Sequence, residues 1–183
     1  MHPRAVALAL VLAAAFVPAA PVPGYAQQAA RRTPDIHYVP TPDAAVDAML
    51  ALAGVGAADV VYDLGSGDGR IVIAAAARHG ARGVGIEIDG DLVRRAEAGA
   101  REAGVADRVR FSQADLFQTD LSEATVITLY LSPSVNLRLR SKLQGLRPGT
   151  RIVAYRFAVP DWPPDREIEV DGTPIFSWVI PPR

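Results

Sequence analysis

The chain contains no cysteine among its 183 residues. This absence excludes disulfide bonds, thiolate metal sites and lipid attachment through a cysteine. It also excludes every mechanism with a cysteine nucleophile, including methylation of cytosine at carbon 5, in which a cysteine attacks the ring. Any chemistry that the protein performs must therefore rest on other side chains.

The sequence also has few histidines and no excess of basic residues over acidic ones. The three histidines, His2, His37 and His79, form no i, i+4 pair and no cluster with carboxylates, so we expect no metal site. Lysine and arginine number 19 against 20 acidic residues, which gives a formal net charge of -1. Nucleic-acid-binding proteins usually show a basic excess or a basic face, so we expect no nucleic-acid partner.

One long apolar run is present, at residues 5–20, and it follows Arg4. Its length suits the apolar region of a signal peptide, and the small residues Gly24 and Ala26 suit cleavage after Ala26. We therefore predict that residues 1–26 are a Sec-type signal peptide and that the protein is exported, to the periplasm or beyond. A cleaved signal leaves no stable membrane span. An uncleaved anchor and a buried N-terminal helix remain as alternatives.

Beyond the signal, residues 27–42 read as a polar linker that ends in an extended proline-containing segment, and residues 43–183 read as one domain. Within that domain, apolar periodicity alternates between helix and strand. The predicted helices are 43–53 (with Asp43 as its cap), 70–79, 91–103 and 135–146. The predicted strands are 59–64, 83–88, 108–112, 124–131, 150–157, 168–170 and 175–180.

Strands that alternate with helices form parallel βαβ units with right-handed crossovers. Asp171-Gly172 lies between the last two strands and is typical of a hairpin turn. The sequence therefore predicts an α/β fold: a Rossmann-like, doubly wound, mostly parallel sheet of seven strands with a C-terminal antiparallel hairpin. Only Pro-rich residues 160–164 separate the fifth strand from that hairpin, so a full crossover helix is not expected there.

A glycine-rich loop, Asp63-Leu64-Gly65-Ser66-Gly67-Asp68-Gly69, follows the first strand and opens a helix. A dinucleotide site requires G-x-G-x-x-G, but the third glycine position is Arg70 here, and no G-K-[ST] follows for a phosphate loop. Asp63 at the end of the strand favours a ligand with a cationic amino group and no pyrophosphate. Ligands of such folds bind at the carboxyl ends of the strands.

Two further acids follow the next strands. Glu87 ends the second strand, where an acid can accept both hydroxyls of a ribose. Asp115 follows the third strand, where it could meet the amino group of an adenine while Leu116 or Ile88 packs on the ring. Taken singly, Asp63 could cap a helix, Glu87 could be a solvated strand end and Asp115 could be a turn residue. Their order at successive strand ends favours a nucleoside ligand.

These segments resemble the motifs of class I S-adenosylmethionine (SAM) dependent methyltransferases: D-L-G-S-G-D-G, then G-I-E-I-D, then A-D-L-F. The resemblance implies SAM as the cofactor. Together with the next resemblance it implies these cofactor-binding residues: Tyr38, Thr41, Asp63, Gly65, Ser66, Gly67, Gly69, Glu87, Ile88, Asp115 and Leu116.

The segment Tyr38-Val39-Pro40-Thr41-Pro42, together with D-L-G-S-G-D-G-R-I-V, looks like the non-SET protein-lysine methyltransferases that modify mitochondrial carriers and the ATP-synthase c-subunit, and like their small exported bacterial relatives. By this resemblance, residues 38–42 border the methionine end of SAM, and a protein lysine is the methyl acceptor. A small-molecule acceptor and a SAM-binding module without turnover are the alternatives.

Tyr130, at the end of the fourth strand, is the predicted catalytic residue. Its ring could hold a cationic head group and its hydroxyl could orient the nitrogen. The alternative for Tyr130 is a buried aromatic at a strand end. The surrounding segment, Thr128-Leu129-Tyr130-Leu131-Ser132-Pro133, differs from the N-P-P-Y motif that enzymes acting on adenine or glutamine nitrogens use, and this leaves the acceptor open.

Overall fold

The computed structural model describes residues 38–182. The predicted signal peptide and the first part of the linker lie outside these residues. Eleven elements follow one another along the chain. They are α1 (Asp43–Leu52), β1 (Val60–Leu64), α2 (Arg70–His79), β2 (Arg82–Glu87), α3 (Gly90–Glu102), β3 (Val109–Gln113), β4 (Val126–Leu129), α4 (Pro133–Gln144), β5 (Arg151–Tyr155), β6 (Arg166–Val170) and β7 (Thr173–Val179).

All seven strands form one sheet in the order β3-β2-β1-β4-β5-β7-β6. The first five strands are mutually parallel where they pair, and β7 is antiparallel to both β5 and β6. The predicted α/β sheet with a C-terminal hairpin is therefore confirmed. The hairpin is inserted so that its second strand pairs with β5, an arrangement that periodicity does not specify.

The two faces of the sheet bury separate apolar clusters, because successive strand residues point to opposite faces. Val61 of β1 belongs to the cluster that contains α1 and α2, whereas its neighbour Tyr62 belongs to the cluster that contains α4. Leu139 and Leu143 of α4 are fully buried in that second cluster. The sheet is thus covered on both faces, as a doubly wound fold requires.

Within residues 38–182, no helix lies between β3 and β4 or between β5 and β6. After β5, Trp162 packs against Trp178 with ring centroids 5.5 Å apart, and the Trp178 indole N–H donates to the Trp162 carbonyl at 3.1 Å. The short loop thereby fills space where a crossover helix would lie. After β3, residues 114–125 form only turns.

Several predicted boundaries need correction. Pro42, and not Asp43, occupies the N-cap position of α1, and no side chain caps that helix. The third helix begins at Gly90 because the Asp89 side chain caps it, accepting from the Asp91 backbone N–H at 2.8 Å. The fourth strand ends at Leu129 rather than at 131, since the ladders to β1 and β5 include only residues 126–129.

Candidate functional site

A cavity of about 300 Å³ opens at the carboxyl ends of β1, β2, β3 and β4. The shortened β4 leaves Tyr130 and Leu131 beyond the strand, at the cavity wall. The structure brings ten of the twelve residues predicted from sequence to this wall. They are Tyr38, Thr41, Asp63, Gly65, Ser66, Glu87, Ile88, Asp115, Leu116 and Tyr130.

The other two predicted residues, Gly67 and Gly69, are not among the wall residues. Both have left-handed backbone angles, with φ of 53° and 78°. A Cβ at Gly67 would lie 2.4 Å from Tyr38 Cε2, and a Cβ at Gly69 would lie 2.5 Å from Phe111 Cε1. These glycines therefore permit close packing and a tight turn, which shapes the loop behind the cavity.

Glu87 is buried at the end of β2 and organises the loops on either side of it. Its Oε2 accepts from the Gly67 N–H at 2.8 Å, and its Oε1 accepts from the N–H groups of Ile88 and Asp89 at 2.8 and 3.0 Å. A carboxylate has about four acceptor positions. Within the described chain, one position on Oε2 thus remains for a ligand, where the sequence-based expectation was contact with two ribose hydroxyls.

Asp63 is 3% exposed and accepts from the Thr128 hydroxyl at 2.7 Å. Burial is the main cause that raises its pKa to about 7, and the charges of Glu87 and Asp68 act in the same direction, against the Thr128 hydrogen bond. A buried carboxyl with such a pKa can bind a cation tightly once it is ionised. It does not cap α2, whose N-cap is Gly69.

A cluster of polar contacts ties the segment 38–41 to the glycine loop. Arg70 forms a bidentate pair with Asp68, with Nε–Oδ1 and Nη2–Oδ2 distances of 3.0 and 2.7 Å, and its Nη1 donates to the Thr41 carbonyl at 2.9 Å. Burial alone would raise the pKa of Asp68, but hydrogen bonds from Arg70 and Tyr38 outweigh it and hold that pKa below its usual value. Tyr38 therefore contacts the loop through both its ring and its hydroxyl.

Asp115 begins a single turn that replaces a helix after β3. The Phe117 backbone N–H donates to Asp115 Oδ1 at 2.9 Å. Leu116 and Phe117 line the cavity beside Asp115 and also pack against the α4-side core. The turn therefore presents one carboxylate and two apolar side chains to the same space.

Tyr130 also lies at the cavity wall. Its ring meets that of Tyr155 edge to face, with centroids 4.9 Å apart and an interplanar angle of 76°. It packs against the core and is only partly buried. The side chain is thus held in place by packing while it remains accessible from the cavity.

The two buried carboxyls of the wall fit a nucleoside amino acid such as SAM. Asp63 offers a carboxyl for a cation, and Glu87 offers a free acceptor position. The Ser66 hydroxyl is buried without a hydrogen-bond partner among residues 38–182, and it lies against β2, where a Cβ at Gly85 would be 2.6 Å from it. The residues present fit the cofactor that the sequence motifs indicated.

Sequence reasoning missed several wall residues, among them Asp68, Asp89, Leu92 and Phe117. Asp68 is part of the glycine motif, but the motif alone does not specify that its side chain lies at the cavity wall. The described residues contain no group of three or more acidic or histidine side chains placed to hold a metal ion. No helix in residues 38–182 has the length and apolarity needed to cross a membrane.

Comparison with known proteins identifies the family. Residues 63–166 match the family described as ANTKMT methyltransferase domain. A protein-lysine N-methyltransferase of Saccharolobus islandicus is 43% identical over 140 residues, 75% of this chain and 87% of its own. The adenine nucleotide translocase lysine N-methyltransferase of Mus musculus is 36% identical over 73% of this chain, which spans only 60% of that relative's length.

A solved structure extends the likeness to the cofactor. A Salinibacter ruber protein, described as an RNA methyltransferase in complex with S-adenosyl-L-homocysteine, is 59% identical, with a TM-score of 0.78 over 79% of this chain and 95% of that one. The glycine loop, the acids at the strand ends and these matches all indicate a methyltransferase that binds SAM. The chain belongs to the ANTKMT methyltransferase domain family and is a SAM-dependent methyltransferase of the seven-strand, Rossmann-like class.

Proposed function

We propose that this methyltransferase transfers the methyl group of SAM to a lysine side chain of a protein. The names of the Saccharolobus and Mus relatives support a lysine acceptor. The observation that carries the proposal is the 43% identity to the Saccharolobus protein-lysine N-methyltransferase, over 87% of that protein's length. Among the described wall residues five are carboxylic acids and one, Arg70, is basic; the acids are Asp63, Asp68, Glu87, Asp89 and Asp115.

Such a wall favours cations. Carboxylates in a partly desolvated site attract a sulfonium, an amino group and an ammonium, and they repel phosphates. Because Asp63, Glu87 and Asp115 are the acids that contact the cofactor, the wall charge matches the sulfonium and the amino group of SAM. The single basic wall residue is already paired with Asp68.

We assign the cofactor contacts as follows. Asp63 holds the α-amino group, the free position on Glu87 accepts a ribose hydroxyl, and Asp115 accepts from the adenine amino group. The apolar side chains of Ile88 and Leu116 pack on the adenine. Gly65 and Ser66 border the ligand through the backbone of the glycine loop. Tyr38 and Thr41 border its methionine end.

SAM supplies a methyl group that is already activated for displacement. The chain's own contribution is therefore to position the acceptor and to remove its proton. A lysine ammonium has an ordinary pKa of about 10.4. Desolvation and the adjacent positive sulfonium lower that pKa, so that the ammonium releases its proton to solvent before the neutral amine attacks the methyl carbon. The Tyr130 ring, fixed by Tyr155, holds the head group, and its hydroxyl orients the nitrogen lone pair.

RNA is the second candidate acceptor, because the Salinibacter protein, at 59% identity, is described as an RNA methyltransferase. Against it stands the formal net charge of -1, because nucleic-acid-binding proteins usually show a basic excess. The two acceptors differ in the product. Lysine methylation yields methyl-lysine after acid hydrolysis, and RNA methylation yields a methylated nucleoside after nuclease digestion.

The decisive experiment uses the purified full chain, methyl-labelled SAM and an extract of its own host, split into ribonuclease-treated and protease-treated portions. We expect label that resists ribonuclease and appears as methyl-lysine. Label only in nucleosides overturns the lysine proposal.

Glu87→Ala should lose about tenfold to a hundredfold in affinity for S-adenosylhomocysteine, because a hydrogen bond to a carboxylate contributes about 1.5–3 kcal/mol. Glu102→Ala, at an exposed position on α3, is the matched control and should bind normally.

We further propose that residues 1–26 direct export and are removed. The support is the sequence pattern of Arg4, the apolar run and the small residues before position 27. N-terminal sequencing of the native protein should begin at Gln27. An intact N-terminus overturns the cleavage and favours the anchored alternative.

A further inference from the structure

The turn after β3 has no crossover helix behind it. Gln118 and Thr119 donate their N–H groups to the Asp115 carbonyl at 2.9 and 3.1 Å, which closes one helical turn. The last carbonyls of such a turn have no partner within the turn itself. The side of the turn away from the SAM cavity, at Gln118, Thr119 and Asp120, borders a second, shallow cavity of about 390 Å³. Backbone hydrogen bonds within the turn therefore do not fix its position.

Lys142 of α4 meets these carbonyls. Its Nζ donates to the carbonyl oxygens of Leu116 and Phe117 at 3.2 and 3.0 Å, and also to that of Thr119. The ammonium thus uses all three of its donors on one turn. Burial beneath the turn lowers the pKa of Lys142, while the nearby Asp120 and Asp115 act against that shift.

A second side chain of α4 contacts the same turn. The guanidinium of Arg138 lies 3.8 Å from the centroid of the Phe117 ring. Residues 138 and 142 are four apart and so lie on one face of the helix. The buried side of α4, with Leu139 and Leu143, anchors this face to the sheet core. A rigid helix thereby fixes a loop that carries three residues of the cavity wall.

We propose that Lys142 is a positioning residue for cofactor recognition: it holds the turn so that Asp115 and Leu116 meet the adenine end of SAM. The inference rests on the proposed placement of the adenine beside Asp115. Nothing in the mechanism of methyl transfer requires Lys142 itself, so its loss acts on cofactor affinity and on base selectivity. The methyl-transfer rate at saturating SAM should be unchanged.

The test compares Lys142→Met, which keeps an unbranched stem and removes the donors, with the wild-type chain. Binding of S-adenosylhomocysteine and of its inosine analogue is measured by calorimetry. The analogue has an oxygen where adenine has its amino group, so a carboxylate at Asp115 discriminates against it. We expect the wild-type chain to prefer the adenine form at least tenfold, and Lys142→Met to lose most of that preference. The KM for SAM should rise about tenfold with kcat within twofold.

Two further variants test whether the effect depends on the hydrogen-bond donors of Lys142. Lys142→Arg, which keeps donors for the carbonyls, should restore part of the preference. Arg147→Met removes another basic side chain that donates to a carbonyl, that of Glu123 at 3.1 Å, outside the turn, and it should bind as wild type. An unchanged adenine preference in folded Lys142→Met overturns this inference alone. A wild-type chain that binds neither compound overturns the cofactor placement as well.

Discussion

At the scale of single residues, Asp63 combines two properties that seldom occur together. Its carboxyl group is almost fully buried. Among the described contacts, the only side chain that donates a hydrogen bond to this carboxyl is Thr128, whose hydroxyl is uncharged. Its pKa of about 7 follows mainly from burial, with Glu87 and Asp68 adding negative charge nearby. Without a ligand, the group is therefore about half protonated near neutral pH.

A cationic ligand should couple its binding to the ionisation of Asp63. Below pH 7 the carboxyl must release a proton before it can pair with the amino group of the ligand. We expect the affinity for S-adenosylhomocysteine to rise up to about tenfold per pH unit below about pH 7 and to level off above it. Calorimetry at several pH values, in two buffers of different ionisation enthalpy, measures both the affinity and the released proton.

The comparison variant for this prediction is Asp63→Asn, which keeps the size of the side chain and removes the ionisation. Its affinity should be lower at about pH 8 and nearly independent of pH between about 5 and 8. A wild-type affinity that does not change across this range would mean that Asp63 does not pair with the amino group.

At the scale of elements, the segment 38–41 acts as a strap over the glycine loop. Arg70 joins the two by pairing with Asp68 and by donating to the Thr41 carbonyl. Bidentate guanidinium–carboxylate pairs have a fixed geometry, so the strap has one preferred position. Tyr38 lies against the backbone of Gly67, where no larger residue fits.

Releasing the strap should speed the loss of cofactor. We expect Arg70→Met to raise the dissociation rate of S-adenosylhomocysteine about tenfold, since the wall formed by Tyr38 and Thr41 is then no longer fixed. Stopped-flow displacement measures this rate. Arg78→Met is the control on the same helix, because Arg78 pairs with Asp47 on α1 in an exposed contact, and it should alter the rate less than twofold. Equal effects of both substitutions would refute the strap.

The elements also show what sequence reasoning can and cannot supply. Strand-helix alternation and the glycine motif locate Asp63, Glu87 and Asp115 at successive strand ends, because parallel strands end at one edge of a sheet. The contact of Arg70 with the Thr41 carbonyl and the contacts of Lys142 with the turn after β3 could not be found in this way. They join residues 20 or more positions apart, and local periodicity carries no information on such pairs. The insertion of β7 between β5 and β6 escaped prediction for the same reason.

At the scale of the whole molecule, the cavity is assembled from residues that lie far apart along the chain. Its wall runs from Tyr38, before α1, to Val135, in α4, and includes the ends of four strands. A ligand in this cavity therefore binds only when the N-terminal segment, the sheet and α4 are all in place. Ligand binding and folding of the described domain should be one linked equilibrium.

This linkage predicts a thermal shift of the entire domain. At a ligand concentration of about 100 times Kd, binding adds about 2.7 kcal/mol to stability, which for a domain of this size corresponds to roughly 5–10 °C in Tm. We expect S-adenosylhomocysteine to produce such a shift in a single transition, followed by calorimetry. Glu87→Ala at the same ligand concentration should shift far less. Two separate transitions, of which only one moves with ligand, would show that part of the cavity wall folds independently.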